Sequence, residues 1–500
     1  MRRTAIMILS LPAWGVFAVL AMLVLGTRTV YGQVSASAET AQQAQAQASI
    51  ATLQQQQTQT ASDTEASDDS DSTVLTMFPH PDSTRYWISG QANIIFQWHP
   101  AFPAKYSGPN SLSAAAQSST SHVFTVYTGY ELSDTTEVFA DAEDSTGPGI
   151  GDALGLAGYT NLDVVRTADG VVLTHAPYLA RLLLRQIIPL SQEKVSADRN
   201  FLNLATSLPK RRLEFWVGKF TIPDFFDTNG PGSDSHLQFL NWTVDDNGAY
   251  DYAANTRGYT DGAMVEYDDG RWSMRFAEAL MPKVANGINL DADIARARSE
   301  NFEADYNGGF LHHRDGAIRI LTYLNHADMG NYREAIDEFL AGDTPKPNII
   351  ATRQQGRHKY GFGLNFEQNL TDQLRAFGRW GWNDGHNESF VYTEVDRALE
   401  TGADYRGDSW HRKNDRAGFA FSMNGISGDH ARYLALGGDG FLLGDGALNY
   451  AHEKIVETYY TAHVWRGTFV SFDLQHINNP GYNQDRGPVL VPGLRAHVDF

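Results

Sequence analysis

From Thr84 to the C-terminus, apolar and polar residues alternate with a period of two in segment after segment. Ile88, Gly90, Ala92, Ile94, Phe96 and Trp98 face away from Trp87, Ser89, Gln91, Asn93 and Gln97. Val138, Ala140 and Ala142 oppose Glu137, Asp141 and Glu143; Phe362, Leu364 and Phe366 oppose Lys359, Asn365 and Glu367. Leu374, Ala376, Trp380 and Trp382 oppose Arg375, Arg379 and Asn383, and Thr468, Val470, Phe472 and Leu474 oppose Ser471, Asp473 and Gln475. A two-residue period belongs to extended strands whose two faces meet different surroundings. The last segment puts Leu494, Ala496, Val498 and Phe500 on one face and Arg495, His497 and Asp499 on the other. Left unpaired, such a terminal strand would be an aggregation-prone edge. Closing a barrel removes the edge by pairing the last strand with the first.

The links between segments alternate in length. Ser133-Asp134-Thr135, Asn369 to Asp372 and Arg466-Gly467 are short, whereas about 101–121, 144–175 and 395–413 are long and polar. Short turns on one rim and long loops on the other predict an all-β fold, a transmembrane antiparallel barrel with periplasmic turns and extracellular loops. A soluble β-sandwich alternates too. Aromatic residues near the ends of the apolar faces and charges on many opposite faces favour lipid outside and water inside.

Composition changes the picture little. Hydrophobic residues make up 42% of 500 and mean hydropathy is −0.36, as a water-filled barrel allows, since each lipid-facing residue is offset by a lumen-facing one. A net charge of −20 argues against a nucleic-acid partner. With no cysteine, disulfides, thiolate chemistry and Cys-based zinc sites are excluded. Arg2 and Arg3 precede an apolar run from about Ala5 to Leu25, which reads as a signal peptide over 1–32; an uncleaved anchor helix is the alternative. Residues 33–83 are rich in Gln, Ala and Ser with an acidic end, too polar to bury a core, and read as a flexible periplasmic extension. The barrel is then 84–500.

Several stretches are similar to the carbohydrate-selective porin family, the OprB-like porins. They are Gly147–Arg166 (GPGIGDALGLAGYTNLDVVR), Trp216–Trp242 (WVGKFTIPDFFDTNGPGSDSHLQFLNW), Ala285–Tyr306 (ANGINLDADIARARSENFEADY) and the ending INNPGYNQDRGPVLVPGLRAHVDF. The resemblance implies sixteen strands, an outer-membrane location reached through the outer-membrane assembly machinery, and passive diffusion of small sugars into the periplasm. It implies no cofactor, no metal and no catalysis, and porin analogy suggests a homotrimer. Two other functions stay open: a general or anion-preferring diffusion porin, and a secreted β-rich carbohydrate-binding protein or glycosidase.

A sugar pathway needs fixed donors and acceptors with aromatic faces, binding weakly enough to release. Strand phase puts Arg181 and Arg185 on one face of the segment 178–188. That face is the lumen, because Arg in mid-membrane lipid costs roughly 2–4 kcal/mol; the alternative is a rim position. Glu214 and Trp216 share the inner face opposite Leu213, Phe215 and Val217. Trp216 could stack a pyranose ring or pack beneath an inward loop. Asp141, Arg275 and Arg379 are lumen candidates from phase alone. Arg166 closes the Gly-rich loop, which can fold inward as a constriction or stay outside; its guanidinium can grip vicinal hydroxyls. Asp224, Asp227 and Asn229 fit a cation site or a carboxylate pair, but read more simply as turn residues. His312, His313 and His411 read as loop histidines, with no metal-binding spacing around them.

Overall fold

The computed structural model describes residues 75–500 apart from 169, 170, 172, 174, 175, 312 and 313. The signal-peptide region, the extension up to residue 74 and His312-His313 therefore lie outside the described residues. In chain order the strands are β1 (Tyr86–His99), β2 (Gln117–Ser133), β3 (Thr136–Thr146), β4 (Tyr178–Pro189), β5 (Lys194–Ser196), β6 (Ser207–Pro209), β7 (Arg212–Phe220), β8 (Thr260–Asp268) and β9 (Trp272–Leu280). They continue with β10 (Arg298–Asn307), β11 (Gly316–Met329), β12 (Gln354–Asn369), β13 (Leu374–Asn383), β14 (Arg397–Gly407), β15 (Arg412–Gly425), β16 (Glu453–Trp465), β17 (Thr468–Asn478) and β18 (Val489–Asp499). All but β5 and β6, which pair with each other, form one closed antiparallel barrel of sixteen strands.

Closure is direct: β1 pairs antiparallel with β18, with Gln91 opposite Asp499 and Phe96 opposite Leu494. Beyond the last strand, the Phe500 N–H donates to the Gly90 carbonyl at 2.8 Å. The chain entering the barrel is tied to the same seam, where the Met77 N–H donates to the Asp499 carbonyl at 2.8 Å. No edge strand remains among the barrel strands, as the terminal aromatic segment requires.

The alternation of the sequence becomes an outside and an inside. Ile88, Phe96, Val126, Leu184, Val217, Trp380 and Phe472 are exposed on the outer wall, where lipid covers them. Their neighbours Asn93, Asp141, Arg185, Lys359 and Arg379 point inward and are buried. They are buried because long loops fold back into the barrel, chiefly 147–168 after β3 and 221–259 between β7 and β8. The apolar core accordingly lies inside the barrel, with Tyr159 and Val164 from the first loop packed against Trp242, Tyr250 and Tyr252 from the second. Helices α1 (Trp242–Asp245), α2 (Tyr332–Ala341) and α3 (Gly428–Ala435) all lie in loops of the long-loop rim. No helix among the described residues is long and apolar enough to cross a membrane.

Two links differ from the sequence expectation. The long loop expected at 395–413 is a loop over 384–396, the strand β14 and a tight turn over 408–411. The inner face of β14 carries Glu400 and Asp404, both buried, and its charges read as loop in the sequence. On the short-turn rim, the link 190–211 is long and contains the β5–β6 ribbon.

Candidate functional site

Register makes the first contribution. Asp141 sits opposite Arg181 and Glu137 opposite Arg185 across β3–β4. Arg275 lies between Glu303 and Glu266 on its two neighbouring strands, and Arg379 faces Glu400. Cross-strand neighbours on one face are close enough to pair. Arg185 bonds Glu137 at 2.9 Å and Glu214 at 2.8 Å. Arg275 bonds Glu303 at 2.6 Å, Asp305 at 2.8 Å and Glu266 at 3.1 Å.

The second contribution comes from the loop 221–259, which brings its own carboxylates to these arginines. Asp224 takes a bidentate pair of bonds from Arg181 at 2.8 Å each, while Asp141 holds the same guanidinium at 3.0 Å. Asp227 meets Arg379 at 3.0 Å, and that guanidinium also donates to the Val244 carbonyl at 2.9 Å. Asp224 and Asp227 are thus clips between loop and wall, a role that turn chemistry alone did not suggest. His411 sits exposed in the 408–411 turn.

Trp216 is 4% exposed. Its ring packs edge-on to Phe225 at 5.0 Å, with the Arg185 guanidinium 4.8 Å from its centroid. It lies beneath the inward loop. Arg166 donates to the Phe441 carbonyl at 2.9 Å, joining the Gly-rich loop to the loop between β15 and β16. That Gly-rich loop is inside the barrel. At Gly155, φ is +78°, and a Cβ would lie 1.9 Å from the Leu112 backbone nitrogen. Only glycine permits this approach.

Where the two loops face the wall lies a cavity of about 190 Å³. Its loop side includes Trp242, Tyr252, Tyr259 and Tyr392. Trp242 stacks on Tyr392 with centroids 4.3 Å apart, and Tyr252 lies 6.2 Å from Tyr392. Tyr392 holds φ at +55°, a strained value for a bulky residue. Its hydroxyl donates to the Asn255 carbonyl at 2.8 Å. Trp242 is aimed by Asn241, whose side chain caps α1 at Thr243 and donates to Gln475 at 2.9 Å. The Trp242 N–H donates to the Tyr159 carbonyl at 3.0 Å, coupling the two loops. Polar groups complete the lining: Arg181, Arg257, Glu143, Asp163 and Asp246. The Tyr259 hydroxyl donates to Glu143 at 2.9 Å, and the Arg257 guanidinium lies 3.7 Å from the Tyr178 ring centroid.

This cavity adjoins a chamber of about 650 Å³ toward the short-turn rim, and both are walled by Gln91, Tyr127, Arg181, His236 and Asp246. Loops folded into a closed sixteen-stranded barrel, narrowing it to such a cavity, are what a diffusion channel requires. Residues 110–500 match the model of the carbohydrate-selective porin, OprB family. The chain belongs to this family. It is a porin of the bacterial outer membrane. The high-pH structure of Pseudomonas putida OprB matches the porin with a TM-score of 0.61 at 15% identity, over 83% of this chain and 94% of that one. The outer-membrane channel DcaP of Acinetobacter baumannii aligns at a TM-score of 0.44 and 10% identity, over 85% of this chain and all of that one. No curated protein matches the porin.

Of the residues expected from the sequence, Arg181 alone lines the porin's narrow cavity; Asp141, Arg185, Glu214, Trp216, Arg275 and Arg379 are buried between the wall and the inward loops without lining it, and Arg166 is a loop–loop tie. The aromatic lining was missed. Trp242, Tyr252, Tyr259 and Tyr392 sit in loops or at a strand's margin, where period-two phase assigns no side. Their clustering in Tyr- and Asn-rich loop stretches was the signal available.

Proposed function

We propose that this porin passes small neutral sugars passively into the periplasm, selecting them at the 190 Å³ constriction. The observation that carries the reading is the pairing of aromatic rings (Trp242, Tyr252, Tyr392) with hydrogen-bonding side chains across one narrow cavity. Flat C–H faces of a sugar can slide over the rings, while Arg181, Asp163 and Asp246 exchange hydroxyl bonds with it. The family's description as carbohydrate-selective supports the same substrate class.

The arginines that suggested an anion-preferring pore each have carboxylate partners. Arg181, Arg185, Arg275 and Arg379 are bonded to at least two carboxylates apiece. This favours neutral sugars over anions as the substrate. Swelling of liposomes carrying the porin, in a panel of monosaccharides and disaccharides, tests the reading. Swelling is expected to exceed that with uncharged polyols of equal size. Uptake that follows solute size alone would reduce the protein to a general diffusion pore.

A further inference from the structure

We infer that the 650 Å³ chamber at the short-turn mouth is a second saccharide subsite, whose stacking surface is supplied by Phe201 of the link 190–211. The inference rests on the sugar-transport reading and adds to it the place where a sugar pauses before release.

The inter-strand links on this rim are otherwise short, from 134–135 between β2 and β3 to 308–315 between β10 and β11. The link 190–211 instead turns back through the β5–β6 ribbon and sends its tip, Asn200–Asn203, into the mouth of the barrel. Three anchors fix that tip. Arg185 donates to the Asn203 side-chain oxygen at 2.8 Å. The Leu204 N–H donates to Glu137 at 3.1 Å, with Leu204 itself buried. Arg199 donates to the Leu204 carbonyl at 2.7 Å and to the Thr84 and Tyr86 carbonyls at 2.8 and 3.1 Å, locking the tip to the chain that enters β1. A tip held this firmly is built into the pathway.

The tip places one aromatic ring in the chamber wall. Phe201 stacks on Tyr127 with centroids 4.8 Å apart and planes 25° from parallel. The Arg181 guanidinium is 5.1 Å from its centroid. Both partners also line the constriction, so the aromatic surface runs on from one cavity into the next. Trp87 provides a further ring in the chamber. Asp234 and Asp246 line it as well, and neither carboxylate meets a cation at salt-bridge distance among the described residues. Half-buried rings beside carboxylates with acceptor capacity to spare match the C–H faces and hydroxyls of a neutral saccharide.

The test uses the porin inserted in one orientation in a planar bilayer, with maltose added to one side at a time. In the wild type, maltose from the short-turn side is expected to block the current with a binding constant of its own. Phe201→Leu keeps the apolar volume but removes the ring, and is expected to weaken that block about three- to tenfold. It should leave block from the long-loop side unchanged, and Phe201→Tyr should restore wild-type block. Wild-type block in Phe201→Leu from the short-turn side would overturn the subsite. Equal weakening from both sides would overturn it too, because Phe201 would then act through the constriction. If maltose blocked the wild type from neither side, the sugar-transport reading itself would fall, and the subsite with it.

Discussion

At the scale of single residues, the buried arginines hold the lumen together. Arg379 is 1% exposed and meets Asp227 of the loop and Glu400 of the wall. Replacing one member of a buried ion-pair network strands the others in a poor solvent, at a typical cost of about 3–5 kcal/mol. Arg379→Met should therefore lower the urea midpoint of the detergent-folded porin. It should also raise single-channel conductance, because the loop 221–259 loses a clip. Unchanged conductance in that variant would mean that the other anchors of the loop suffice.

At the scale of elements, the constriction depends on whether the Gly-rich loop can seat against its neighbour. Gly155 has both a left-handed φ and a backbone contact that no side chain allows. Gly155→Val should displace this loop while leaving the β3–β4 pairing, which is fixed by its own register, free to close. The expected result is an assembled barrel with larger conductance and less discrimination among sugars, measured by single-channel recording and liposome swelling. The strands illustrate how far local pattern reaches. The outer faces of β1, β13 and β17 were legible because lipid demands an unbroken apolar period. The strand β14 was not, because its outer face carries Arg397, Thr401 and Ala403 around Leu399, which breaks the apolar period beside the charged Glu400 and Asp404 of its inner face. Asp141 and Arg181 could likewise be assigned inward from phase, but their pairing needed the register of β3 against β4.

At the scale of the whole molecule, charge balance predicts ion preference. Arg181, Arg185, Arg275 and Arg379 are offset by carboxylates, while Asp246 and Asp234 line the chamber with no cation at salt-bridge distance among the described residues. Burial pushes the Asp246 carboxyl up to about 7, with Arg379 opposing the shift. It is therefore protonated below neutrality and charged above it. Reversal potentials in a KCl gradient should show a cation preference at pH 8 that falls as pH drops through 7. Asp246→Asn should flatten this pH dependence, and an anion preference at pH 8 would contradict the charge assignment.

The sequence by itself pointed to the barrel, its two faces and its closing strand, because period-two alternation with aromatic ends and charged opposite faces is a local record of lipid on one side of most strands. It also marked Arg181, Arg185, Arg275 and Arg379 as inward from strand phase, with a rim position the alternative for Arg181 and Arg185. Only the tertiary structure decided what those side chains do. The loops that fold inward bring Asp224 to Arg181 on β4, Asp227 to Arg379 across the barrel on β13, and Trp242 against Tyr392 of another loop. Loops carry no periodicity, and contacts between residues far apart in sequence are fixed by packing in three dimensions.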